Sequence, residues 1–124
     1  MPLGTVFVVD DDASVRRALH RLIRTAGFEV ESYADGGAYL ERPAPSMPAC
    51  LVLDIRMPGM TGFEFQRAIA GTNRDLPTVF ITGHGGEEVR AQGLDAGAVA
   101  VLFKPIDEDA LLTAIEKALG SCRR

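Results

Sequence analysis

The chain has 124 residues, 47% of them apolar and 24% charged, the mix of one ordinary globular domain able to bury a core without metal or disulfide staples. A net charge of −4 argues against a nucleic-acid-binding surface. No apolar run is long enough to cross a membrane, and no N-terminal signal peptide is evident. Cys50 lies in an apolar run and Cys122 in a polar tail. Together they offer neither zinc spacing nor a disulfide framework, so a reducing cytosol is the expected setting.

Elements follow in regular alternation. TVFVVD, residues 5–10, is rich in β-branched residues and predicts a buried strand. Asp12 predicts the N-cap of a helix. Its apolar face is Val15, Ala18, Leu19, Leu22, Ile23 and Ala26, and Gly27 stops it. Arg16, Arg17 and His20 read as its solvated face, the two arginines also suiting a docking role. FEVESY alternates as a second strand, with a short helix over 35–41 and a proline-rich loop, RPAPSMP, after it. CLVLD, 50–54, predicts a third strand continuous in its apolarity, followed by the turn-rich IRMPGMTG.

Thr61 predicts the cap of a helix carrying Phe63, Ala68 and Ile69. TVFIT is the fourth strand, and GHGG leads into a helix over 87–96. VAVLF is the fifth strand, stopped at Pro105. Asp107 begins a last helix with Leu111, Leu112, Ile115, Ala118 and Leu119 on its apolar face. Five strand–helix alternations with two-sided apolar strands predict an α/β fold with a parallel sheet covered on both faces. Right-handed crossovers favour a flavodoxin-like (βα)5 three-layer sandwich of strand order 2-1-3-4-5, over a single domain of residues 1–124.

That order makes strands 1 and 3 neighbours, with the switch point between them. Asp10 and Asp11 then end strand 1, Asp54 ends strand 3, Thr82 ends strand 4 and Lys104 ends strand 5. Three clustered carboxylates call for a cation. Mg2+ fits best, as an oxygen-seeking ion usually shared between carboxylates, waters and a phosphate. A carboxylate can be the nucleophile of aspartyl-phosphate chemistry. The ammonium and the hydroxyl suit the remaining oxygens of a phosphoryl group.

VVDDD, LVLDIRMPGMTG, ITGHG and LFKP, in order at the ends of strands 1, 3, 4 and 5, resemble the response-regulator receiver domains of two-component signalling. The resemblance covers essentially the whole chain. It implies that Asp54 takes a phosphoryl group from a phosphohistidine on a sensor histidine kinase or phosphotransfer protein. It further implies that Asp11 ligates Mg2+ directly, with Asp10 acting largely through water and the backbone carbonyl of Arg56 as a third protein ligand. Thr82 resembles the switch hydroxyl, Lys104 the phosphoryl-binding lysine, and Pro105 the proline often preceded by a cis bond.

The motifs look most like receivers that precede helix-turn-helix transcription domains. The resemblance thus implies a cytoplasmic switch, not a turnover enzyme, that modulates the surface of the fourth helix, fifth strand and fifth helix and often dimerises. One departure stands out: Val101 occupies the place of the family's usual switch aromatic, and Phe103 shares its strand face.

Two other readings compete. Asp10-Asp11-Asp12 resembles the D-x-D of haloacid-dehalogenase phosphatases, with Asp10 as nucleophile, but no later acidic pair follows strand 4. A flavodoxin would want a Ser/Thr-rich loop after strand 1, where this chain is acidic. His84 lacks a paired ligand and is assigned no metal.

Overall fold

The computed structural model describes residues 3–46 and 48–121; Cys122 lies outside them. Its elements alternate strictly: β1 (Thr5–Val9), α1 (Ala13–Thr25), β2 (Glu29–Tyr33), α2 (Gly36–Leu40), β3 (Ala49–Asp54), α3 (Gly62–Ile69), β4 (Thr78–Thr82), α4 (Glu87–Asp95), β5 (Ala100–Phe103) and α5 (Glu108–Ser121). The five strands form one parallel sheet in the order β2-β1-β3-β4-β5, the predicted order. β1 pairs with β3 from Thr5↔Ala49 to Val9↔Leu53. That register brings the residues after Val9 level with Asp54.

The period-two alternation of each strand splits the core in two. Val6 and Val8 of β1, Cys50 and Val52 of β3, and Val79 and Ile81 of β4 face one way. They pack on Leu19 and Ile23 of α1 and on Leu111, Ala114, Ile115, Ala118 and Leu119 of α5. Phe7, Val9, Leu51, Leu53 and Phe80 face the other way, onto Tyr39, Phe63, Phe65 and Ile69. Burial on both faces explains why the central strands are apolar without interruption.

The apolar face of α1 is narrower than its sequence suggests. Leu19 and Ile23 are buried and Val15 and Leu22 partly so, while Ala18 and Ala26 are exposed. His20 leaves its predicted solvated setting: it is half-buried, with Nδ1 2.8 Å from Ser32 Oγ of β2. The caps follow the sequence closely. Asp12 accepts from the Ser14 and Val15 amides, and Thr61 and Glu64 form a reciprocal capping box on α3. α4 is weakly anchored: Gly86 supplies no side-chain cap, Gly93 is its one buried residue, and Leu94 is 43% exposed.

Candidate functional site

Asp54 and Thr82 end their strands, Asp10, Asp11 and Lys104 follow theirs, and Arg56 lies in the loop after β3. Asp10 follows β1 with its amide bonded to the Tyr33 carbonyl (3.1 Å), and its side chain is 0% exposed. Asp54, the last residue of β3, is 3% exposed. Asp11 is exposed at the mouth. Carboxylate oxygens of Asp10, Asp11 and Asp54 lie within 4.8 Å of one another. Lys104 follows β5, its amide bonded to the Thr82 carbonyl (2.8 Å). Its Nζ reaches Asp10 Oδ2 at 3.1 Å and Asp54 Oδ1 at 3.7 Å. The peptide bond from Lys104 to Pro105 is cis.

Two backbone approaches shape the pocket. The Gly62 amide, first in α3, donates to the Ile55 carbonyl at 2.8 Å. A Cβ there would stand 2.5 Å from the Asp54 carbonyl oxygen, so only glycine lets α3 press on the end of β3. At β4, Thr82 is buried, with its hydroxyl engaged by the loop that follows. Its hydroxyl donates to the His84 carbonyl and accepts from the His84 amide, both at 3.1 Å. Arg56 is exposed in the β3–α3 loop.

Electrostatics follow from this crowding. Burial, then the Asp10 charge, pushes the Asp54 carboxyl up to about 6, although Lys104 and a hydrogen bond from the Arg56 backbone pull it down. Burial alone would lower the Lys104 pKa, yet the contact with Asp10 and the charges of Asp10 and Asp54 outweigh it and raise it. One ammonium cannot balance three carboxylates. Asp10 Oδ2 is buried, and its partner is the Lys104 ammonium at 3.1 Å. An acceptor of that kind, among hard oxygen donors, suits a small divalent cation.

Residues 6–116 match the model of the "Response regulator receiver domain" family. The chain belongs to that family. It is 41% identical over 119 residues to nodulation protein W of Bradyrhizobium diazoefficiens, an alignment covering 96% of this chain and 52% of that protein. It is 38% identical over 116 residues to response regulator protein TodT of Pseudomonas putida F1, covering 94% and 51%. The chain thus spans about half the length of these curated relatives. Among solved structures, response regulator StyR superposes with a TM-score of 0.86 at 48% identity, over 96% of this chain and 60% of that one. A receiver protein from Burkholderia phymatum superposes at 0.78 and 39% identity, over 97% and 96%.

Receiver domains are signalling domains phosphorylated by histidine kinases, and this chain is a receiver domain of the response-regulator kind. The matches give the haloacid-dehalogenase alternative no support. Asp10, its required nucleophile, is wholly buried and paired with Lys104. Among the described residues no helix is long and apolar enough to cross a membrane.

One site neighbour went unread in the sequence. Arg16, assigned there to a solvated face, is half-buried and donates from Nη1 to the Asp10 carbonyl at 2.7 Å. Helical periodicity reports which face a residue occupies, not how far a long side chain reaches back over the preceding loop.

Proposed function

We propose that the chain works as a single receiver domain whose phosphoacceptor is Asp54. A sensor histidine kinase or phosphotransfer protein in the cytoplasm is the donor. The observation that carries this is Asp54 itself, buried at a strand end within 4.8 Å of two further carboxylates and 3.7 Å from an ammonium. Asp11, Asp54 and the Arg56 carbonyl would hold Mg2+, with Asp10 acting largely through water. When bound, the ion neutralises the acidic cluster and draws charge from one phosphoryl oxygen.

The residues do the rest. A carboxylate oxygen of Asp54 forms the new bond to phosphorus as the phosphorus–nitrogen bond of the phosphohistidine breaks, and the imidazole leaves with the bonding pair. Lys104, already between Asp10 and Asp54, takes a second phosphoryl oxygen. Thr82 gives up the His84 carbonyl and donates to the third. That exchange pulls on the loop before α4, a weakly anchored helix, and biases the surface of α4, β5 and α5 towards another state. The output is control of a homodimer and, through it, of transcription, without nucleic-acid binding by this chain. Phosphotransfer and slow dephosphorylation are self-catalysed steps of a switch, not the turnover of an enzyme.

The test is intact mass after incubation with a small phosphodonor and Mg2+. Wild type gains one phosphoryl mass, Asp54→Asn gains none, and chelation of Mg2+ abolishes the gain. An adduct that survives in Asp54→Asn and disappears only in Asp10→Asn would overturn the assignment.

A further inference from the structure

We propose that Arg16 is a positioning residue for the cation site, an inference that rests on reading Asp10, Asp11 and Asp54 as that site. β1 ends at Val9, so the Asp10 carbonyl lies beyond the last ladder pair and needs a donor. Arg16 supplies it, Nη1 to oxygen at 2.7 Å, a charge-assisted bond of the stronger kind. The same residue's amide donates to the Asp12 carbonyl at 2.9 Å. Between them the Asp12 amide closes onto Asp10 Oδ1 at 2.9 Å. The loop bearing Asp10, Asp11 and Asp12 is therefore fastened to the first turn of α1 at two points, the Asp12 cap and the Arg16 side chain, and only the arginine holds the Asp10 carbonyl.

The fastening has a purpose. Asp10 and Asp11 repel each other and Asp54. A free loop would relieve that by splaying, which moves the Asp11 carboxylate away from the other two. Held at the Asp10 carbonyl, the loop keeps the oxygens converged before any cation arrives. Arg16 touches no cation and no phosphoryl group in this scheme; it acts through the backbone.

The sign of one measurement separates this from a bystander charge. Removing a cation near an acidic cluster strengthens cation binding by simple electrostatics. Removing a positioning bond weakens it, commonly by tenfold or more for groups that orient metal ligands. Mn2+ is the probe, its free fraction read by electron paramagnetic resonance, with competing Mg2+ confirming a shared site. Wild type, Arg16→Met and Asp11→Asn are compared where far-UV circular dichroism shows each folded. Arg16→Met keeps the aliphatic stem and removes the donor.

The expected result is strong weakening in Asp11→Asn and roughly tenfold weakening in Arg16→Met. If Arg16→Met does not fold, Arg16→Gln, too short to reach the carbonyl, is read by the same criterion. Affinity unchanged or tightened at position 16, with Asp11→Asn still weak, overturns the positioning role alone. Equal affinity in wild type and Asp11→Asn overturns the cation site, and this inference with it.

Discussion

Asp54 shows what a buried carboxylate costs the protein that carries it. Burial and the Asp10 charge raise its pKa to about 6, against about 4 for an unfolded Asp. Between those values the folded chain binds more protons than the unfolded one, so stability falls as pH rises through that window. Above about pH 6 the full penalty stands. In Mg2+-free buffer at pH 8, Asp54→Asn should therefore be more stable than wild type by on the order of 1–3 kcal/mol. Below pH 4 the two should be nearly equal. Urea denaturation at both values checks this, and an equal gain at both would place the strain elsewhere. The residues of this site were legible because each polar side chain interrupts an apolar strand at its carboxyl end. Arg16 was not, because the Asp10 carbonyl it serves lies six positions back, across a loop.

At the scale of elements, α4 and β5 show how the chain accommodates Val101, where the resemblance implied an aromatic. Val101 is buried opposite Phe80, and α4 lies directly on it. A Cβ on Gly93 would stand 2.4 Å from Val101 Cγ2 and 3.3 Å from Phe80 Cδ2. A small residue on the strand is thus matched by none on the helix. Phe103 does share the face with Val101, half-buried on the same cluster, as period two predicts. Gly93→Ala should destabilise by about 1–3 kcal/mol despite its better helix propensity, because a stiff β-branched neighbour cannot yield. Adding Val101→Ala should recover part of that loss, giving a coupling energy of about 0.5 kcal/mol or more in thermal denaturation of the four-member cycle. Strict additivity would mean that helix and strand do not meet there. The sequence announced α4 correctly within one residue of its end. A glycine inside a helical pattern says nothing about which strand residue it accommodates, so this contact waited for the structure.

At the scale of the molecule, the sheet keeps stability and chemistry apart. The order β2-β1-β3-β4-β5 was readable from alternation and handedness alone. It puts all the strained charges at one edge and the two apolar clusters along the faces. Ile115, buried on the far side of α5 from solvent and packed among Val6, Val52 and Val79, belongs to the stabilising part. Ile115→Ala should cost about 2–5 kcal/mol at any pH through lost burial and the cavity left behind. Asp54→Asn should act in the opposite direction, growing between about pH 4 and 6 and standing in full above that. If the repulsion at the edge is local, the two effects add in the double variant to within about 0.5 kcal/mol, measured by urea denaturation at pH 8 without Mg2+. A double variant well off that sum would mean the aspartates distort the sheet beneath them. Additivity would mean that a packed, two-sided sheet holds the acidic edge in place while barely deforming. That rigidity would keep charges that repel one another converged, as the proposed cation and phosphoryl site requires.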